Sequence, residues 1–256
     1  MRTNAQILKI AMEQSARDSG CLAEDFQSNQ NKVVLSRKTQ GARKYLELPF
    51  VCDFTSYGNN IVASVSPPLV QIAQAYIDRF PTEHCFETPN LHVLMQALAP
   101  MGLNVCFMAE YFLPDVDRLR PMPCAYQTKI LCQNDFGPLY LPQWSNALCE
   151  KRKNLDVLAV AAYDNDRLIG LAGCSADCDT MWQIGVDVLP EYRRQGVASA
   201  LTSRLALEIL DKDRVPFYCA AWSNLKSVGN ALKCGFKPAW VQMTVKPNEV
   251  IQQYNQ

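Results

Sequence analysis

The stretch that decides the fold is Val188-Leu189-Pro190-Glu191-Tyr192-Arg193-Arg194-Gln195-Gly196-Val197-Ala198. It lies between a predicted strand over residues 181–188 and a predicted helix over residues 197–210. The first N–H groups of a helix lack internal partners, and the helix dipole favours negative charge there. Gly196 lets the backbone approach a ligand, and Arg193 and Arg194 add charge and donors. The stretch therefore predicts a phosphate-binding loop; the alternative is an ordinary strand-to-helix turn with solvated arginines.

A second pattern follows at Asn224-x-x-Ser227-x-x-x-Ala231-x-x-x-Gly235-Phe236. Asn224 is typical of a helix N-cap, and Gly235 is typical of the residue that ends a helix. The pattern predicts a helix over residues 224–234 followed by a strand over residues 239–245. Taken alone, it is ordinary capping chemistry.

Together, the two patterns resemble the GNAT superfamily of acyl-CoA N-acyltransferases. Arg193-x-x-Gly196-x-Ala198 matches the pyrophosphate motif of that family, and residues 224–236 resemble its second conserved block. From Tyr126 onward, the predicted order is a strand, two helices, three strands, a helix, a strand, a helix and a strand, which resembles a whole GNAT domain. The resemblance implies an α/β (α+β) fold whose mixed, mainly antiparallel sheet has splayed central strands and flanking helices.

Acetyl-CoA, bound without a metal, is the cosubstrate that the resemblance implies. The strands over residues 181–188 and 215–222 would separate, and a backbone N–H at a bulge in the first of them would bond the thioester carbonyl. Gly185 is consistent with a bulge or a close approach, or with simple packing. The residues implied to bind acetyl-CoA are Val186, Val188, Arg193, Arg194, Gln195, Gly196, Val197, Ala198, Asn224 and Ser227.

Direct attack of an amine on the thioester would need a base for the ammonium proton and an acid for the leaving thiolate. Many family members carry a tyrosine acid at the position of Ala231, so the acid is not identified by this comparison. Asp187, on the central strand, is the candidate catalytic base. Asp177, Asp179 and Glu110 stay open as alternatives.

The acceptor site is implied to lie near residues 144–146 and on the two separating strands. Its candidate residues are Trp144, Asn146, Trp182 and Trp222. Aromatic rings at a pocket mouth can hold a cationic or aromatic amine, and core packing is an equal alternative. The predicted function is acetyl transfer to a primary amine of a small molecule or peptide. The alternative is a non-catalytic acyl-CoA-binding sensor or scaffold.

Composition restricts the partners and the compartment. Lys+Arg 25 balances Asp+Glu 25, which argues against the broad basic field of a nucleic-acid or anionic-membrane binder. Eleven cysteines, an odd number, predict free thiols in a reducing cytoplasm. Their spacing and the two histidines predict no metal site.

A proline-rich stretch over residues 113–123 divides the chain into segments 1–115 and 124–256. The first is predicted to be a smaller mixed α/β segment with a hairpin around Gly58-Asn59-Asn60 and two helices. Its interpretations are a degenerate GNAT-like half, an acceptor-specificity module, or a surface for partners or for a homodimer.

Overall fold

A computed structural model describes residues 2–256 of the chain. The helices are α1 Asn4–Ser19, α2 Val70–Arg79, α3 Thr88–Leu98, α4 Val197–Asp211, α5 Leu225–Lys233 and α6 Asn248–Tyr254. The strands are β1 Lys32–Leu35, β2 Cys52–Ser56, β3 Val62–Val65, β4 Leu103–Pro114, β5 Gln127–Cys132, β6 Asp156–Asp164, β7 Arg167–Ser175, β8 Met181–Val188, β9 Val215–Ala220 and β10 Phe236–Pro247.

The chain forms two compact units, each built from two segments. The first unit contains residues 2–10 and 112–238, and the second contains residues 11–111 and 239–256. The predicted domains, residues 1–115 and 124–256, assume a single division along the chain and stay a prediction.

The first unit carries a mostly antiparallel sheet in the order β9–β8–β7–β6–β5. The strands β5 to β8 pair antiparallel in sequence order, and β8 pairs parallel with β9. The turn between β6 and β7 pairs Asp164 with Arg167, as the Asp164-Asn165-Asp166 sequence predicts. Apolar side chains of α4, among them Leu201 and Leu205, pack with Ile184 of β8 and Tyr218 of β9 in the main core of this unit.

The central strands β8 and β9 separate along their length. Their residue pairs run from Met181↔Val215 to Ile184↔Tyr218, whereas β8 continues to Val188. The last four residues of β8 therefore lie beyond the parallel pairing while they remain paired with β7. The predicted mixed sheet with splayed central strands is confirmed.

The two helices predicted between β5 and β6 are replaced by short 3₁₀ turns. These turns cover Gln133–Asp135, Gly137–Leu139, Pro142–Trp144 and Glu150–Leu155. Pro138 and Pro142 explain the difference, because each proline lacks an N–H donor and disfavours a helical residue before it. The segment therefore runs as a series of turns.

The second unit has the strand order β1–β3–β2–β10–β4. The hairpin of β2 and β3 around Gly58 is confirmed, and β1 pairs parallel with β3. Apolar side chains of α2 and α3, such as Ile77 and Leu94, form its core with Phe54 and Met243. No helix within residues 2–256 is long and apolar enough to cross a bilayer.

Candidate functional site

The loop from β8 to α4 leaves the start of α4 open. Gly196 precedes the helix with φ +83°, a left-handed conformation that favours glycine. The first bond of the helix joins Ala200 N–H to Gly196 O at 3.0 Å, so the N–H groups of residues 197–199 come before it. No side chain caps this end. A Cβ at Gly196 would meet no heavy atom within 4 Å, which shows open space beside this glycine at the start of α4.

Polar side chains hold this loop in place. The Tyr126 hydroxyl donates to Gln195 Oε1 at 2.6 Å, and Gln195 Nε2 donates to Glu191 O at 3.1 Å. The Arg193 Nε donates to Val188 O at 2.9 Å, which ties the loop to the end of β8. Arg193 and Arg194 are both exposed. We call residues 193–198 the cradle; it combines two guanidinium groups with uncapped helix donors.

The open end of β8 directs backbone groups toward the gap beside β9. Leu189 N–H donates to Ile169 O of β7 at 2.9 Å. Because successive residues of a strand direct their N–H and C=O groups to opposite sides, those of Val186 and Val188 point away from β7. The Arg193 bond to Val188 O agrees with this direction. Val186 and Val188 therefore present their N–H groups where β8 and β9 have separated.

The start of α5 and strand β9 bring one hydroxyl group each to the gap. Asn224 is the N-cap, and its Oδ1 accepts from Ser227 N–H at 3.2 Å. The Ser227 Oγ lies 2.8 Å from the hydroxyl of Tyr218, at the last residue pair before the strands separate. Tyr218 is 3% exposed, and burial raises the pKa of its phenol. Ala231 is buried in the same core cluster.

On the opposite face of β8, a turn is packed directly on the sheet. Ile184, Val186 and Val188 contact the core under α4, so Gly185 and Asp187 face the other way. A Cβ at Gly185 would lie 1.8 Å from Asn146 O. The Asp187 carboxylate accepts from Asn146 N–H at 2.8 Å, from Asn146 Nδ2 at 2.6 Å and from Ala147 N–H at 2.9 Å. The backbone of this turn therefore covers Gly185 and bonds Asp187 on this face, while the Asn146 side chain beside them is exposed.

Residues 126–236 match the model of the acetyltransferase (GNAT) family. This segment is a GNAT acetyltransferase domain. It contains β5 to β9, the cradle, α4 and α5, and it does not extend into residues 11–111 of the second unit. The predicted family resemblance of the C-terminal half is confirmed.

Several solved structures are similar to this chain. An acetyltransferase from the GNAT family of Colwellia psychrerythraea is 14% identical with a TM-score of 0.46, over 72% of this chain and 76% of that chain. A GCN5-related N-acetyltransferase-like protein from Streptococcus suis is 20% identical with a TM-score of 0.44, over 62% of this chain and 69% of that chain. Aminoglycoside N-acetyltransferase AAC(6')-Iy in complex with CoA is 18% identical with a TM-score of 0.36, over 47% of this chain and 93% of that chain. No curated protein matches this chain.

The residues predicted to bind acetyl-CoA are brought together in the GNAT domain. The Arg193 bond joins the cradle to Val188, and Val186 lies two residues earlier in the same strand. Asn224 and Ser227 lie at the first turn of α5, and α5 contacts both α4 and β9. Gly185 is a close-approach glycine: the pairing of β7 with β8 runs without a register shift through it, so no bulge is present there.

The predicted acceptor residues do not converge. Trp144 is 3% exposed and packs with Phe136 and Leu148, so core packing is its role. Trp182 packs against the core under α4, on the face of β8 opposite Asn146. Trp222 is 42% exposed in the loop after β9. Only Asn146 contacts the open end of β8 directly.

The three carboxyl groups considered as alternative bases to Asp187 lie in different environments. Asp177 is fully buried, and it accepts from Arg152 Nη1 at 2.6 Å and from Ser175 Oγ at 2.8 Å. Asp179 is exposed. Glu110 lies in the second unit, where burial raises the pKa of its carboxyl. The network around Asp177 is structural in character.

The cysteines are free, and five of them are buried as small apolar side chains: Cys52, Cys85, Cys174, Cys178 and Cys234. Burial raises the pKa of the Cys234 thiol to about 12, which leaves it protonated and inert at neutral pH. Within the described residues, no group of three or more His, Cys, Asp or Glu side chains is placed to hold a metal ion.

Two features of the site are visible only in the structure. The hydroxyl pair of Tyr218 and Ser227 joins residues nine positions apart, and only the packing of α5 on β9 reveals it. The contact of the turn at Asn146 with Gly185 joins distant parts of the chain. The glycine itself was the available signal, since a central strand rarely carries glycine without a close approach.

Proposed function

We propose that the GNAT domain transfers the acetyl group of acetyl-CoA to a primary amine of a small molecule or a peptide. The observation that carries this proposal is the cradle. It places an uncapped helix start, a left-handed Gly196 with open space in front of it, and two exposed arginines next to the open end of β8. Each of these features favours a bound phosphate group.

The residues present fit the cosubstrate. A pyrophosphate carries negative charge and acceptor oxygens, which suit the N–H groups of Val197 and Ala198 and the guanidinium groups of Arg193 and Arg194. Gln195 holds the loop through Tyr126. Asn224 and Ser227 line the start of α5. When bound, acetyl-CoA supplies an acetyl group activated as a thioester.

The backbone of β8 provides electrostatic stabilisation. Val186 N–H points into the gap beside β9, and Val188 N–H does the same one pleat further on. Donors that are already fixed in a sheet need no reorganisation when negative charge develops on a carbonyl oxygen. We assign Val186 N–H as the principal donor because Val188 lies next to the loop that Arg193 anchors.

Tyr218 and Ser227 provide a proton on the α5 side of the gap. The raised pKa of the Tyr218 phenol keeps it protonated at neutral pH. With Tyr218 donating to Ser227 at 2.8 Å, the half-buried Ser227 hydroxyl donates outward to the sulfur as the carbon–sulfur bond breaks. The proton that the nitrogen loses when the carbon–nitrogen bond forms passes to water, and the hydroxyl pair regains its own proton from water. This pair takes the role that a helix tyrosine at the position of Ala231 has in many relatives.

A non-catalytic acyl-CoA-binding sensor or scaffold is the second candidate. One observation favours it: Asp187, the candidate base, already accepts three hydrogen bonds. A sensor would bind acetyl-CoA as tightly as an enzyme and would acetylate no amine.

We propose no nucleic-acid or membrane partner, since the balanced charge gives no broad basic field. A cytoplasmic location and a homodimer stay predictions.

The first test is calorimetric titration of acetyl-CoA into the wild type and Gly196→Glu. We expect micromolar binding to the wild type, on the order of −8 kcal/mol. In Gly196→Glu, bulk and negative charge enter the cradle, so we expect affinity to fall about 100-fold or more. The matched control is Gly102→Glu, because Gly102 is also left-handed, at φ +67°, with no heavy atom within 4 Å of its Cβ position.

The two glutamate variants separate backbone strain from loss of the site. Equal affinity of Gly102→Glu and the wild type, with loss only in Gly196→Glu, supports the cradle. If a well-folded wild type binds no acetyl-CoA, the proposed function is wrong. If acetyl-CoA binds, transfer is measured by mass spectrometry with four amines: putrescine, phenethylamine, kanamycin and glycylglycine. Binding without any acetylated product would favour the sensor.

A further inference from the structure

Two glycines form a seat on the face of the sheet opposite α4. Gly173 of β7 and Gly185 of β8 are direct register partners. A Cβ at Gly173 would lie 2.1 Å from Ala147 O, and a Cβ at Gly185 would lie 1.8 Å from Asn146 O. Because both positions lack a side chain, the backbone at residues 146–147 rests directly on the sheet. We call Gly173 and Gly185 the glycine seat.

Asp187 fixes the turn on this seat. Its two carboxylate oxygens accept three N–H groups, two from the backbone of Asn146 and Ala147 and one from the Asn146 side chain. A carboxylate only accepts hydrogen bonds, so the Asn146 amide must present its NH₂ group to Asp187. The carbonyl oxygen Oδ1 of Asn146 is thereby turned away from Asp187. Asn146 is exposed, so this oxygen is available to a ligand.

The turn lies over the part of β8 that has left β9. Gly185 and Asp187 flank Val186, whose N–H points into the gap. The backbone and side chain of Asn146 contact both flanking residues. An oriented acceptor oxygen therefore stands on one face of β8, next to the strand position that presents an N–H donor at its edge.

We propose that Asp187 is a positioning residue and that Asn146 Oδ1 binds an N–H of the acceptor amine. This inference rests on the proposed function and names a group of the acceptor site. A primary amine suits it, because one N–H bonds Asn146 while the nitrogen lone pair stays free to attack. Asp187 removes no proton; its oxygens hold the turn and the orientation of the Asn146 amide.

The first experiment measures hydrogen exchange of residues 142–149 in the wild type and Asp187→Ala, and it needs no acceptor. Asp187→Ala removes the oxygen that accepts both backbone N–H groups, so we expect exchange of the Asn146 and Ala147 amides to speed up about tenfold or more. Asp211→Ala, which removes an exposed carboxylate at the end of α4, is the control and leaves this exchange unchanged. Unchanged exchange in Asp187→Ala overturns the positioning role.

The second experiment measures transfer from acetyl-CoA to whichever of the four named amines gives the highest turnover. For Asn146→Ala we expect KM for the amine to rise about tenfold, from the loss of one hydrogen bond to a charged or polar group. The acetyl-CoA affinity and kcat stay close to those of the wild type. Asp187→Asn should raise KM at least as much and keep the acid limb of the pH–rate profile.

Three results are distinguishable from these. Loss of the acid limb in Asp187→Asn, with unchanged exchange at residues 146–147 in Asp187→Ala, identifies Asp187 as the base and overturns the proposal. An unchanged KM in Asn146→Ala overturns the assignment of Oδ1. If the wild type binds acetyl-CoA and acetylates none of the amines, the proposed function fails and the amine contact of Asn146 fails with it, while exchange still decides what Asp187 does.

Discussion

The two faces of β8 differ in whether nearby backbone N–H groups are already hydrogen-bonded. On the α4 side, the cradle leaves helix donors uncapped and Gly196 faces open space. On the other side, the glycine seat is filled by the turn at Asn146, and Asp187 occupies the donors of that turn. The first N–H groups of α4 are therefore free to bind a ligand, whereas the N–H groups of Asn146 and Ala147 hold their turn on the sheet.

The two glycines of the site, Gly196 and Gly185, are required for different physical reasons. Gly196 is needed for its left-handed φ of +83°, and no neighbour limits its size. Gly185 has no positive φ, and its missing side chain is the requirement. Substitution should therefore affect ligand binding at the first position and the integrity of the fold at the second.

The largest effect is expected for Gly185→Ala. The added Cβ would overlap Asn146 O at 1.8 Å, a backbone atom that cannot move alone. We expect the free energy of unfolding to fall by about 3 kcal/mol, as for an overpacked core, measured by urea denaturation. Gly229→Ala is the control: Gly229 lies inside α5 with no heavy atom within 4 Å, so alanine should stabilise by about 1 kcal/mol. A cost below about 1 kcal/mol for Gly185→Ala would mean that the seat is not tight.

The cradle side could be predicted from the sequence, because its information is local. The residues from Val188 to Ala198 and from Asn224 to Gly235 lie on consecutive elements, and their caps and glycine follow rules of single helices. For that reason the sequence could place Gly196 before α4 and Asn224 at the N-cap of α5, where the structure has them.

The seat side could not be predicted, because it depends on contacts between residues about 40 positions apart. Asn146 meets Gly185 and Asp187 only after a segment expected to be helical has folded as 3₁₀ turns. The sequence also cannot tell a buried indole from a ligand-binding one, and Trp144 proved to be core. Pro138 and Pro142 were the local signals against the helices.

A smaller effect is expected for Tyr218→Phe, on the α5 side of the gap. If the Tyr218–Ser227 pair donates the proton, turnover should fall by about 10- to 100-fold, while acetyl-CoA affinity by calorimetry changes little. Tyr76→Phe is the matched control, because the Tyr76 hydroxyl also donates while buried, to Cys85 O at 2.7 Å in the second unit. Both variants should lose about 1 kcal/mol of stability. Equal turnover of the two variants would remove Tyr218 from the reaction.

A separate prediction concerns the pH dependence of stability, at a buried carboxyl group whose surroundings differ from those of Asp187. Asp53 of the second unit is buried, with bonds from Gln242 Nε2 at 2.9 Å and Thr55 Oγ1 at 3.1 Å. Burial raises the pKa of Asp53 to about 7, from an ordinary value of 3.8. Between these values the native state keeps a proton that the unfolded chain has lost. The contribution of Asp53 to stability is therefore full at low pH and is lost as pH rises toward 7, by up to about 1.4 kcal/mol per pH unit.

Asp53→Asn tests this difference, because asparagine stays neutral at every pH. Between about pH 4 and pH 7, the free energy of unfolding of the wild type should fall as Asp53 becomes harder to keep protonated, and that of the variant should lack this fall. The stability of the variant relative to the wild type should therefore increase as pH rises. Urea denaturation of both proteins at several pH values measures the gap. Thr55→Val removes a donor that lowers the pKa of Asp53, so in that variant the decline should continue to higher pH. A gap between wild type and Asp53→Asn that does not change with pH would show that Asp53 holds no extra proton in the native state, and that the bonds from Gln242 and Thr55 outweigh the effect of burial.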